Sequence, residues 1–272
     1  FRDTVNAANP NKHAGMIYAS NLCHEIAQNV GFTNLAEEII NEDGTITTKT
    51  NTGDMVTCNL NSISLGRITD EELEENIALQ IRMLDNVISI NQAPVPESRM
   101  TSDKYRAIGL GTSGYHHYLV NHDIQWESDE HIEVADKLFE NIAYYAIKAS
   151  MELAKEKGAY PAFKGSEWET GAYFTRRGYT SDRWKQLAAD VAKYGIRNGY
   201  LMAVAPTGST SNIANTTAGI DPIFKKFFIE EKFFHTKNCT RFEQQNILAL
   251  QRGAYNRPTM VHQSLWRTST SY

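Results

Sequence analysis

A chain of 272 residues, 41% hydrophobic and 22% charged, has the material for one large core or two modest ones. Its formal charge of −5 supplies no clustered basic surface to neutralise phosphates, which excludes nucleic acid as a direct partner. Three scattered cysteines, Cys23, Cys58 and Cys239, with no CxxC pair exclude a secreted disulfide framework and fit a reducing cytoplasm.

No repeat, low-complexity tract or Pro/Gly/Ser linker divides the sequence, so residues 1–272 are expected to form one domain without a separate second one. The first residue is Phe1 rather than Met, and the opening FRDTVNAANPNK reads as a domain interior, so the chain is expected to be a fragment. The first segment with chemical potential is SNLCHEI, residues 20–26. In an extended backbone its Asn21, Cys23 and Glu25 point to one side, presenting a thiol flanked by a hydrogen-bonding amide and a base. A free cysteine is also a common inert packing residue, and spacing alone leaves both readings open.

Residues 70–91 open with acidic side chains and repeat Leu73, Ile77, Ile81, Leu84 and Ile88 at helical spacing, which predicts an amphipathic helix. The run GLGTSG, residues 109–114, formally fits GxGxxG but follows a polar segment rather than a buried strand. It is therefore read as a glycine-eased helix start and not as a dinucleotide site. His116 and His117 are adjacent and have no zinc-ligand spacing, so no metal site is expected. Residues 129–157 carry Ile132, Ala135, Phe139, Ile142, Ala146 and Leu153 on one stripe and stop at Gly158, the clearest helix of the chain. Tyr144 and Tyr145 fall inside it and are read as packing residues. A third helix is predicted over residues 181–194, ended by Gly195, and the apolar run YLMAVA, residues 200–205, reads as a buried strand entering a turn at Pro206 and Gly208.

The uncharged stretch 198–220 holds Pro206, Gly208 and six Ser or Thr residues, so its length alone does not make it a membrane span, and no signal peptide is expected. Within it, PTGSTS, residues 206–211, follows a strand with a glycine turn and several hydroxyls. Backbone N–H groups at a helix start favour phosphate, and the same sequence also suits a Ser/Thr-rich helix cap. Alternating helices and short apolar strands indicate an α/β fold.

Five segments in order carry a family resemblance: NLCHEI (21–26), VTCNLNS (56–62), RAIGLGT (106–112), RNGY through APTGSTS (197–211) and AGIDPI (218–223). Together they resemble the large subunit of class I ribonucleotide reductases, with RAIGLGT similar to a helix-opening segment of that family. The resemblance implies a ten-stranded α/β barrel with a finger loop carrying the radical cysteine. It implies that Cys23 abstracts the 3′ hydrogen of the substrate ribose as a thiyl radical, and that Glu25 takes the 3′-hydroxyl proton. Asn21 would bind the sugar hydroxyls and Cys58 would be half of the reducing dithiol, its partner lying upstream of Phe1. Ser20, Thr207, Gly208, Ser209, Thr210 and Ser211 would contact a ribonucleoside diphosphate, the last five at its diphosphate.

This chain would bind no cofactor itself. Its radical would come from a metal-containing small subunit, and its other partners would be the remaining large-subunit segments and a thioredoxin- or glutaredoxin-like reductant. The upstream region with the second redox cysteine and effector sites, and the late strand with the radical-transfer tyrosines and cysteine tail, are not represented. The ending 265–272 does not resemble the family, and Cys239 matches none of its sites and is read as structural or incidental. Two alternatives are a cobalamin-dependent class II reductase, against which the NLC form of the active-site segment speaks, and a non-catalytic remnant acting as an interaction module.

Overall fold

The computed structural model describes residues 2–224 with their side chains, and the backbone of 227–233 and 239–245. The Cys239 side chain and the ending 265–272 lie outside the described residues. In chain order the elements are α1 (Arg2–Ala8), β1 (Asn34–Ile40), β2 (Ile46–Asn51), β3 (Leu60–Ser64), α2 (Leu73–Ile90), α3 (Pro96–Tyr105), β4 (Gly109–Ser113) and α4 (Tyr115–Asn121). They continue with α5 (Asp129–Lys157), α6 (Glu167–Thr170), α7 (Ala172–Arg176), α8 (Asp182–Tyr194), α9 (Gly208–Ile213), β5 (Phe227–Phe233) and β6 (Cys239–Gln245).

The stripe read on α2 is its buried face, whereas the stripe read on α5 is buried only from its middle onward: Ile132 is exposed and Ala135 and Phe139 are half-buried, the first turns of the helix lying at the edge of the core. On α2, Leu73, Ile77, Ile81, Leu84 and Ile88 are all buried and pack against α5, which buries Leu138, Ile142, Ala146 and Leu153. Each fully buried Ile contributes roughly 2 kcal/mol. Helix α5 begins where Ser128 Oγ accepts the His131 N–H at 3.1 Å, with Asp129 and Glu130 in its positive first turn and Lys155 and Lys157 in its last. Tyr144 meets the Trp184 ring of α8 edge-on at 5.1 Å, in keeping with a packing role. Among the described residues no helix is long and apolar enough to cross a membrane.

Strand β3 pairs in parallel with β4, Leu60 beside Gly109 through Ser64 beside Ser113. All five residues of β4 are buried. The glycines expected to ease a helix start thus lie in a buried strand, and α4 begins only after Gly114. The reason is steric: a Cβ on Gly111 would stand 2.3 Å from the Ala203 carbonyl oxygen, so only glycine lets the neighbouring chain approach. That neighbour is the 200–203 segment, whose Leu201 carbonyl accepts from Leu110 N–H at 2.8 Å and whose Ala203 N–H donates to the Leu110 carbonyl at 3.1 Å. The expected strand over 200–205 is reduced to a single parallel bridge, Leu110 with Met202. Pro206, which has no N–H, cannot extend the ladder.

A buried charge cluster ties these tracks to α2. Asp85 is fully buried and accepts from Arg106 Nε at 2.7 Å and Arg197 Nε at 3.2 Å, with Lys157 Nζ at 3.4 Å. Burial works against its charge, but the hydrogen bond and charge of Arg106, with Arg197 and Lys157, hold the carboxyl below the ordinary aspartate range.

Candidate functional site: a cysteine pair and a hydroxyl-rich turn

The 20–26 segment is a turn and not the extended tip its spacing suggested. The His24 N–H donates to the Asn21 carbonyl at 3.2 Å, and His24 takes a left-handed φ of 66°. Asn21 closes the turn with its side chain as well, its Oδ1 accepting the Ile26 N–H at 3.0 Å. Asparagine favours turns because its short amide bonds to nearby backbone groups in this way. Ile26 is buried while Leu22 is 94% exposed, so the turn is anchored at one end and presents Cys23 at the surface. Ser20 Oγ lies 2.9 Å from His24 Nδ1.

With its oxygen engaged, the Asn21 amide points its Nδ2 at Cys58 Sγ, 3.8 Å away. Cys58 lies just ahead of β3. Burial pushes its thiol pKa up, the Glu25 carboxylate reinforces this, the Asn21 hydrogen bond opposes it and Cys23 adds slightly to the rise. The net direction is upward, away from the thiolate, although the side chain itself reaches the surface. One Glu25 oxygen, Oε2, is buried with no hydrogen-bond partner among the described residues. Leaving such an oxygen unpaired costs about 1–3 kcal/mol. The structure thus brings together Asn21, Cys23, Glu25 and Cys58, residues that sequence spacing joined only in part.

The 206–211 run opens the short helix α9. Thr207 is buried and its Oγ1 accepts the Gly219 N–H at 2.7 Å. Thr210 Oγ1 donates to the Thr207 carbonyl at 3.3 Å and Ser211 Oγ to the Gly208 carbonyl at 3.2 Å. These three hydroxyls shape the turn, and Gly208, Ser209 and Thr210 form its exposed crest. The His116–His117 pair fastens the loop behind it: His116 Nδ1 accepts from Ile223 N–H at 2.8 Å and His117 Nδ1 lies 2.9 Å from Thr216 Oγ1. Burial lowers the pKa of both rings, which suits His116 as an acceptor.

The barrel domain of ribonucleotide reductase matches residues 1–271, which takes in all but the last residue of the 265–272 ending expected not to resemble the family. The chain belongs to this family, and with it to the α/β barrel fold. It is 55% identical over 238 residues to the ribonucleoside-diphosphate reductase subunit alpha of Treponema pallidum, an alignment covering 85% of this chain and 28% of that protein. It is 38% identical over 281 aligned residues to the protein of the same name from Helicobacter pylori strain J99, covering 85% of this chain and 36% of that one. The Synechocystis protein of that name is 35% identical over 241 residues, again 85% of this chain and 28% of the relative. The chain thus spans about a third of the length of these relatives.

Sequence reasoning missed the polar residues that hold this reductase-family segment in place. Asn29 is fully buried. Its Nδ2 donates to the Asn11 carbonyl at 2.9 Å and to Tyr105 Oη at 3.1 Å, while its Oδ1 accepts from Asn9 Nδ2 at 2.8 Å. Tyr160 Oη donates to Asn11 Oδ1 at 2.6 Å, and Tyr200 Oη donates to Asn9 Oδ1 at 3.1 Å. The one hint was the run of asparagines Asn6, Asn9 and Asn11 in the opening segment, whose partners are too distant in sequence to be guessed.

Proposed function

We propose that this chain supplies the catalytic part of a ribonucleoside-diphosphate reductase large subunit, a ten-stranded barrel whose finger loop is the 20–29 segment. The observation that carries the reading is the Asn21 hydrogen bond to Cys58, which joins the two cysteine-bearing segments, with the charges of Glu25 and Cys23 near enough to act on the Cys58 thiol. Cys23, as a thiyl radical, takes hydrogen from the ribose C3′, an S–H bond forming as the C–H bond breaks. Glu25, with one oxygen buried and unpaired, accepts the 3′-hydroxyl proton as general base. The 2′-hydroxyl leaves as water. Cys58 and a second thiol give two electrons and two protons and close to a disulfide, and Cys23 returns its hydrogen to C3′. The balance is ribonucleotide plus dithiol to deoxyribonucleotide, water and disulfide.

Asn21 and Ser20 orient the sugar, and the crest Gly208, Ser209 and Thr210, shaped by Thr207 and Ser211, receives the diphosphate through N–H groups at the start of a helix and through the Ser209 and Thr210 hydroxyls. The radical comes from a metal-containing small subunit, and a thioredoxin- or glutaredoxin-like protein reopens the disulfide. The test uses the chain assembled with complementary large-subunit segments and a small subunit. Cys23→Ser should abolish even one turnover, since an O–H bond is too strong to hand on the radical. Cys58→Ser should begin the reaction and then release free base with loss of the radical. Equal silence of both variants, or substrate-dependent radical loss in Cys23→Ser, would show that these roles are wrong.

A further inference from the structure

Tyr105 ends α3 and is completely buried, its ring packed edge-on against Tyr200 at 5.8 Å. Its hydroxyl leaves this core to meet two separate arms of the chain. Asn29, which closes the segment bearing Asn21, Cys23 and Glu25, donates to Tyr105 Oη at 3.1 Å. Asp54, which opens the segment leading to Cys58, faces the same hydroxyl with Oδ2 at 3.1 Å, and the Ala14 carbonyl lies at 3.3 Å. One hydroxyl therefore accepts from the first arm and donates to the second.

The surrounding bonds make this contact rigid. The other side-chain bonds of Asn29 go to Asn9 and Asn11, its N–H donates to Tyr200 Oη at 3.2 Å, and Asp54 Oδ1 is paired with Lys104 Nζ at 2.8 Å. The arms also touch through their backbones, the Gly31 N–H donating to the Asp54 carbonyl at 3.3 Å. A Cβ on Gly53 would stand 2.3 Å from the Gly31 carbonyl oxygen.

We infer that Tyr105 is a positioning residue whose hydroxyl holds the segment bearing Cys23 at a fixed spacing from the segment bearing Cys58. The inference rests on the function proposed above. Hydrogen abstraction needs Cys23 alone, whereas reduction needs Cys58 in reach of the sugar before the substrate radical decays with release of its base. Loosening the spacing therefore penalises the second step more than the first, because delivery between held groups depends steeply on their geometry.

The experiment is Tyr105→Phe in the assembled reductase, with deoxynucleotide and free base measured from the same incubation. The ring and its packing remain and only the atom shared by the two arms is lost. The ratio of base to deoxynucleotide should rise about fivefold, the factor that one ordinary hydrogen bond supports, with KM for the ribonucleoside diphosphate unchanged. Leu187→Ala, a cavity in the buried face of α8, is the stability control: its total yield falls and its ratio stays. A Tyr105→Phe enzyme that behaves like Leu187→Ala overturns the inference. If Tyr105→Phe does not fold, Asp54→Asn weakens the same contact from the other arm, and an unchanged ratio there overturns it equally. A wild-type assembly giving neither product nor base instead refutes the functional reading beneath it.

Discussion

Replacing Asp85 with Asn tests the electrostatic reading of the fold at its most demanding point. The carboxylate is fully buried, and the Arg106 and Arg197 side chains beside it are only 7% and 14% exposed. The amide would leave two cations with little access to water and no counter-charge, and would turn an N–H donor towards groups that are themselves donors. Removing one member of a buried pair costs about 3–5 kcal/mol. For a domain of this size that is a fall in Tm of roughly 6–20 °C. The comparison is Glu156→Gln. Arg82 meets Glu156 with two short bonds, 3.0 and 2.6 Å, but both side chains are about half exposed, so its loss should cost less than about 1 kcal/mol. Circular dichroism melts of the chain and both variants at neutral pH supply the measurement. A fall for Asp85→Asn no larger than for Glu156→Gln would refute the reasoning, because burial and not bond length is claimed to set the cost.

Acid should report the same group: because the folded state holds the Asp85 carboxyl below its ordinary value of 3.8, its contribution is complete above that pH. It is lost as pH falls through the folded value, and the variant's stability should lack this component in urea titrations at stepped pH. Cys58 should respond in opposite directions to its two neighbours, alkylating more slowly in Asn21→Ala and faster in Glu25→Gln, as read by mass spectrometry with iodoacetamide. Changes in the same direction would contradict the balance of burial, charge and hydrogen bond described for it. Ser209→Ala with Thr210→Ala should weaken nucleotide binding in the assembled reductase, the Thr210 hydroxyl bonding within its own turn to the Thr207 carbonyl. Unchanged affinity for the substrate would reassign the segment to a structural cap.

The helices were legible because their signals are local. Ser128 and Gly158 bracket α5, and its bounds coincide with the expected 129–157. Helix α2 starts later than expected, at Leu73, because Asp70 and Glu72 are spent in turns, the Leu73 N–H reaching back to the Asp70 carbonyl at 3.4 Å. The 200–205 run has the apolar composition of a strand, yet strand formation depends on a repeated partner that composition does not reveal. Cys23, Glu25 and Cys58 were marked by residue type and family resemblance, but their arrangement was not. Alternation suggested an extended tip, whereas the double use of Asn21, carbonyl and side chain together, makes a turn. The network of Asn9, Asn11, Asn29, Asp54, Tyr105 and Tyr200, hinted at only by its run of asparagines, was hard to read for a different reason. It has no period, and its members meet only after the chain has folded.

The exposed hairpin of β1 and β2 lies between the two cysteines in sequence, but not between them in space. Its base is pinched where Gly31 and Gly53 pass each other, and its strands are almost wholly exposed. Whatever is added to or trimmed from residues 34–51 is hung outside that pinch. The hairpin is thus the place where a reporter tag or an inserted peptide should leave the pinch and the segments behind it undisturbed.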